Sequence, residues 1–361
     1  MKKHKANTGQ FSLLTEKRFL PFFVTQFLGA FNDNVFKNAL IILIAFQGAS
    51  LTRYEPDLLI NLSAGLFILP FFLFSATAGQ WIEKLEKAKA IRLIKLVEIV
   101  IMSLAAVAFI YGAIVFLVAL LFFMGTQSTF FGPAKYSYIP QHLDDTELVE
   151  GNALVQMGTF VAILIGTMLG GILIASDAGV VYVSVAIVLV AALGYFASCY
   201  IPETPALDPD LNINWNVFSE TIRNIRFLKS NRVVFLSVLG ISWFWFLGAM
   251  YLVQLPNFTK TALGGNEQVV TLLLTLFTAG IGTGSLLCNW LSGNKVELGL
   301  VPFGSIGLTV FGIDLYFSQP DLTGSHIVGV IEFLSLTNIR LIADIILIGF
   351  FGGLYIVPLF S

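Results

Sequence analysis

The chain has 361 residues, of which 57% are hydrophobic and only 12% charged, with 34 Phe, 32 Gly and a net charge of −2. This composition excludes a soluble globular domain, implies no nucleic-acid partner, and fits helices that sit in lipid and pack through small residues. The two cysteines, Cys199 and Cys288, lie in separate apolar stretches, so neither a disulfide framework nor a zinc pattern is available.

The chain opens with a basic N-terminus, Lys2, Lys3 and Lys5. The apolar stretch that follows, 19–46, is too long and too polar at its centre for a cleaved signal peptide, so it reads as a retained first span. Asn32-Asp33-Asn34 and Lys37-Asn38 break it in the middle. At 1.5 Å of rise per residue, Asp33 lies roughly 21 Å into a hydrocarbon core about 30 Å thick. Gln26, Gly29, Ala30, Asp33 and Lys37 recur at steps of three and four, so one narrow face of the helix is polar or small and should line a cavity. A charge at that depth costs several kcal/mol, which makes Asp33 a functional-site candidate, with Asn34, Lys37 and Gln26 beside it. The alternative is structural: Asp33 and Lys37, four residues apart, pair with each other and lock the helix to its neighbours.

Hydropathy gives ten spans, at about 19–46, 58–82, 91–111, 113–140, 148–175, 178–201, 233–256, 268–291, 298–317 and 341–361. With the N-terminus in the cytoplasm, sixteen cations fall on that side, Lys95 and Lys135 among them. Only Arg53, Lys260 and Arg340 fall on the other side, and Lys37 is inside a span. That positive-inside bias sets the orientation. The loop 202–232 carries Pro-Glu-Thr-Pro, the acidic Asp208 and Asp210, and a basic amphipathic tail at 218–229 expected to lie on the membrane surface. It divides residues 1–201, a first bundle of six spans, from residues 233–361, a second and incomplete bundle of four, as in a transporter built from two halves around a central cavity.

The halves echo each other. Gln26-Phe27-Leu28-Gly29-Ala30-Phe31 has a counterpart in Trp245-Phe246-Leu247-Gly248-Ala249-Met250, and Phe130-Phe131-Gly132 one in Phe350-Phe351-Gly352, at nearly equal offsets. Such a parallel repeat implies an axis normal to the membrane. After span two, Glu83, Lys84 and Lys87 form a tight charged turn that can act as a gating loop, latching neighbouring helix ends in one transport state; a plain positive-inside loop is the alternative. A second such turn, 289–299, follows span eight.

Lys135, two residues after Pro133, could meet a lipid phosphate or simply snorkel at a helix end. Asn152 and Gln156, on one face of span five, could bond a glycerophosphate or neighbouring helices. Asp314 and Asp344 read as interfacial, and Trp243 and Trp245 as packing against helices or acyl chain. His4, His142 and His326 all lie outside the spans, and there is no His-x4-Asp pair and no glycine-rich phosphate loop. No enzyme activity, cofactor or metal is expected of this chain.

Several stretches resemble one family. Ala30-Phe31-Asn32-Asp33-Asn34-Val35-Phe36-Lys37-Asn38-Ala39 is similar to the first-helix signature of bacterial lysophospholipid transporters, most of all those fused to an acyl-ACP–phospholipid O-acyltransferase. Phe131-Gly132-Pro133-Ala134-Lys135-Tyr136, the segment from Leu148 to Gln156, Trp243-Phe244-Trp245-Phe246 and the segment from Gly352 to Pro358 agree as well, and the turn with Glu83 and Lys84 resembles the loop motif of the major facilitator superfamily. The resemblance implies an all-α polytopic fold of that superfamily. It further implies movement of lysophosphatidylethanolamine and related one-chain lipids through a bacterial inner membrane, with membrane lipids and an acyltransferase or acyl-ACP synthetase as partners. The alternatives are an exporter of another amphiphile or drug, and the membrane part of a fused acyltransferase. Stand-alone members of the family resemble one another in a basic residue in span seven, whereas 246–254 contains none. The family has twelve spans, so the chain reads as part of a longer polypeptide with the second half truncated.

Overall fold

The computed structural model describes residues 10–144, 147–291, 299–319, 327–335 and 338–360. A 3-10 turn over Gln10–Thr15 leads into α1 (Leu20–Leu51), α2 (Pro56–Lys84), α3 (Lys87–Ile110), α4 (Ile114–His142), α5 (Leu148–Ile174) and α6 (Gly179–Ser198). The short α7 (Val217–Leu228) precedes α8 (Arg232–Ala262), α9 (Glu267–Leu291), α10 (Leu300–Phe317), the one-turn α11 (Val330–Phe333) and α12 (Ile339–Phe360). Ten of these are long and apolar enough to cross a membrane. Helices are the form such sequences must take, because hydrocarbon offers no partner to a backbone N–H or C=O. The chain is an all-helical, multi-pass membrane protein.

The helices start and stop close to where hydropathy places them, with two extensions. α1 runs on to Leu51, and α8 continues through Pro256 to Ala262, because one missing amide hydrogen does not end a helix whose neighbours hold it. α3 shows the arrangement that lipid imposes. Leu93, Leu96, Val97, Val100, Leu104 and Val107 are exposed, while the buried face holds Ala90, Ile91, Ile94, Met102 and Ala105 together with Lys95 and Glu98. Lys95 and Glu98, the charges within the span, point inward.

The chain divides into two compact units. The first comprises Met1–Lys37, Gly65–Gly166 and Ala178–Ile222. Its core gathers Phe19 just before α1, Phe22 of α1, Ile82 of α2, Ile91 and Ile94 of α3, Tyr138 and Ile139 of α4, and Val155 of α5. Arg18, just before α1, donates to the carbonyl of His142 (2.7 Å) and to Glu147 (2.9 Å), while its own carbonyl accepts from Tyr138 (2.7 Å). The carboxylates of Glu16 and Glu147 hold its guanidinium above its ordinary pKa, so this pin stays charged.

The second unit comprises Asn38–Ala64, Thr167–Asp177 and Arg223–Ser361. Here α9 and α12 approach backbone to backbone through glycine. A Cβ on Gly284 would lie 2.0 Å from the Phe350 carbonyl oxygen, and one on Gly353 would lie 2.3 Å from that of Ile281. Small residues substitute for the hydrophobic drive that lipid removes. Gly284→Ala is therefore expected to lower stability against thermal unfolding in detergent by about 1–3 kcal/mol. Gly248→Ala, with no heavy atom within 4 Å of the new methyl, should be neutral or stabilising. Equal effects of the two would contradict this packing.

Candidate functional site

The site is built on one face of α1 within the first unit. Gln26 is buried, and Ala30, Asp33 and Lys37 are half-buried. Beside this stripe Phe23, Phe27 and Phe31 form a ladder with ring centroids 6.4 Å apart at each step. Polar and aromatic rows thus run side by side along a single helix.

Near the start of α1 the stripe meets α4 and α5. Lys135 Nζ donates to Thr159 Oγ1 (3.3 Å), and that hydroxyl shares its hydrogen between Gln26 Oε1 (3.1 Å) and the Val155 carbonyl (2.8 Å). Lys135 Nζ also sits 5.2 Å from the centroid of the Tyr136 ring. The structure therefore brings together Gln26 and Lys135, which are far apart in sequence, and adds Thr159, which sequence reasoning had not singled out.

Further along α1, Asp33 Oδ2 accepts a 2.7 Å hydrogen bond from Ser128 of α4. Oδ1 is buried without a hydrogen-bond partner. Among the described residues no cation lies within 4 Å of the carboxylate, so Asp33 and Lys37 do not form the i,i+4 ion pair that their spacing allows. Lys37 Nζ instead lies 5.3 Å from the centroid of the Phe67 ring on α2. Asn34 turns back on its own helix and donates to the Ala30 carbonyl (2.7 Å). The side chains of Asn152 and Gln156 lie outside the described residues.

Behind the stripe is a buried polar network that the sequence reading missed. Lys95 and Glu98 of α3, each with a side chain 1% exposed, form an ion pair. Asn32 Nδ2 donates to Glu98 Oε1 (3.1 Å) and to the Ile187 carbonyl of α6 (3.1 Å), and Gln127 Nε2 donates to Glu98 Oε2 (3.1 Å). By sequence position Lys95 falls with the cations at the cytoplasmic ends of the spans. It is inside the bundle instead, in a slot left by glycines: a Cβ on Gly194 would lie 2.7 Å from its Cε, and one on Gly29 would lie 3.3 Å from its Nζ. The missed signal was a Lys-x-x-Glu pair, three residues apart, within an apolar span.

The turn between α2 and α3 holds the segment that follows α6. Lys84 Nζ donates to the Leu211 carbonyl (3.0 Å), the Glu83 carbonyl accepts from the Asp208 amide (3.2 Å), and Lys87 Nζ caps the Ile82 and Leu85 carbonyls (2.7 and 3.0 Å). These contacts are to backbone, not to carboxylates. Elsewhere, Asp314 pairs with Arg340, Asp344 is buried in the second turn of α12, and Trp243 and Trp245 are exposed. Of the second charged turn, 292–298 lies outside the described residues. Among the described residues no group of three or more His, Cys, Asp or Glu is placed to hold a metal ion.

The family model of the Major Facilitator Superfamily matches residues 22–361. The chain is 26% identical over 341 residues to the lysophospholipid transporter LplT of Escherichia coli O1:K1, covering 93% of this chain and 77% of that protein. It is 26% identical over 349 residues to the lysophospholipid transporter LplT of Klebsiella pneumoniae, covering 96% and 80%. Among solved structures, the fold is similar to a D-xylose-proton symporter, with a TM-score of 0.60 at 14% identity over 93% of this chain and 79% of that one. It is also similar to an inward-facing bacterial homolog of the human lysosomal transporter Spinster, with a TM-score of 0.62 at 14% identity over 94% and 74%.

Removing one member of the Lys95–Glu98 pair leaves the other charge buried alone. Glu98→Gln is expected to destabilise the protein by about 3–5 kcal/mol, and Lys95→Met added to it should recover most of that loss. Thermal unfolding in detergent measures both. A double variant no more stable than Glu98→Gln alone would contradict the pairing.

Proposed function

Because the chain belongs to the major facilitator superfamily, we propose that it moves lysophospholipids across the bilayer, with lysophosphatidylethanolamine as substrate. The observation that carries this reading is the face of α1 on which Gln26, Asp33 and Lys37 lie beside the Phe23–Phe27–Phe31 ladder. One row suits a headgroup, the other a single acyl chain. The relatives named as lysophospholipid transporters support the same substrate class.

In this reading Lys135 takes the phosphate and the half-buried Asp33, whose Oδ1 has no partner of its own, takes the ammonium. Gln26, beside Lys135, is seven residues from Asp33, about 10 Å along the helix. A phosphoethanolamine extended over about 5 Å, with a hydrogen bond of about 2.8 Å at each end, spans that separation. Lys37 supplies a second cation near the carboxylate, and Asn34, Asn152 and Gln156 are the further candidate ligands of the headgroup. The Glu83–Lys84–Lys87 turn acts as the gating loop.

Residues 1–201 and 233–361 then form the two transmembrane bundles and 202–232 the linker. The basic residues of the N-terminus and linker favour a cytoplasmic location for both in a bacterial inner membrane. The product delivered there is a substrate for an acyltransferase or acyl-ACP synthetase.

Proteoliposomes with labelled lysophosphatidylethanolamine in the outer leaflet test the reading. Asp33→Ala and Lys135→Ala, each correctly inserted, should slow inward transfer by about ten- to hundredfold, the loss of one charge-assisted hydrogen bond of roughly 1.5–3 kcal/mol. Unchanged rates in both would show the site to be wrong. No transfer by the unmodified protein would show the function to be wrong.

A further inference from the structure

The Lys95–Glu98 pair lies one layer behind α1, and its hydrogen bonds lead to Asp33. A carboxylate only accepts hydrogen bonds, so Gln127 must turn its amide nitrogen toward Glu98 Oε2 (3.1 Å) and its carbonyl oxygen toward Ser128. Ser128 Oγ accordingly lies 3.1 Å from Gln127 Oε1 and 2.7 Å from Asp33 Oδ2. The hydroxyl has one hydrogen for two acceptors. Asp33 Oδ1 has no donor at all.

We propose that the buried Lys95–Glu98 pair sets the direction of this relay so that Asp33 is left short of hydrogen-bond donors, and thereby makes the site select a headgroup carrying an ammonium. Lys95 and Glu98 are positioning residues, since neither is exposed to a substrate. Lys95 holds Glu98 as an acceptor, Glu98 fixes the orientation of the Gln127 amide, and Gln127 presents a second acceptor to Ser128. Asn32 Nδ2 clamps the other carboxylate oxygen from α1 (3.1 Å), keeping the segment that carries Asp33 against α3. A primary ammonium brings three N–H donors to a carboxylate that has a contested one. A headgroup ending in an uncharged glycerol brings only weaker donors.

Lys95→Met with Glu98→Gln reverses the relay without leaving a buried charge. Residue 98 then donates to Gln127 Oε1, the Gln127 amide turns its nitrogen to Ser128, and Ser128 gives its hydrogen wholly to Asp33. Ser128→Ala does the opposite and removes the last donor.

The inference rests on the lysophospholipid reading above, and the test separates the two. Transfer of lysophosphatidylethanolamine and of lysophosphatidylglycerol is compared in proteoliposomes of the full chain. The double variant should lose about tenfold of the preference for the ethanolamine headgroup, as expected for one weakened charge-assisted contact, while Ser128→Ala should keep or increase that preference. A network that only holds helices together would slow both lipids equally, and that result would overturn the proposal. If the unmodified protein moves neither lipid, the transport reading fails. The relay is then decided by carbodiimide labelling of Asp33, read by mass spectrometry without any substrate. Labelling should be faster in Ser128→Ala and slower in the double variant than in the unmodified protein. Equal labelling rates in all three overturn the relay.

Discussion

A charge carried into hydrocarbon has to find its counter-charge within the protein, and in this chain that requirement is met at Lys95 and Glu98. Four helices contribute to the arrangement. α3 supplies the pair, α1 supplies Asn32, α4 supplies Gln127, and α6 supplies both the Ile187 carbonyl and Gly194, whose missing side chain makes room for the lysine. None of these helices can rotate about its axis without leaving a polar group unpaired in a medium that cannot replace the lost bond. The apolar faces do not provide such specificity, because one leucine-rich surface meets lipid about as well as another.

This frame explains why Asp33 can stay unpaired. It sits on the same turn of α1 as Asn32, whose amide is tied to α3 and α6, so the aspartate is held at the edge of a rigid network without being consumed by it. Its one bond, from Ser128, fixes the direction of the carboxylate and leaves an oxygen over. Lys37, one turn further on, rests over an aromatic ring instead of closing the ion pair. In the reading proposed here, that unused pairing capacity is what a zwitterionic headgroup employs.

Much of this was legible in the sequence because lipid makes the rules simple. The length and apolarity of the segments fix the helices, and the three- and four-residue steps of Gln26, Ala30, Asp33 and Lys37 fix which face of α1 is polar. What could not be read was who meets that face. Lys95 looks like any lysine near the end of a membrane helix, and only the glycines at 29 and 194, on two other helices, show that it points inward. Glu98 passes unnoticed for the same reason: its partners are three residues away on its own helix but 29 and 66 positions away on α4 and α1. Thr159 carries no charge to draw attention, yet it joins Lys135 to Gln26.

The central claim is that the polar stripe and the phenylalanine ladder of α1 together receive a one-chain phospholipid. A cryo-electron-microscopy map of the full chain in nanodiscs containing lysophosphatidylethanolamine tests it most directly. The account expects headgroup density within hydrogen-bond reach of both Asp33 and Lys135, with the acyl chain along Phe23, Phe27 and Phe31. Lipid density confined to other helices, with Asp33 closed off by protein side chains, would contradict it.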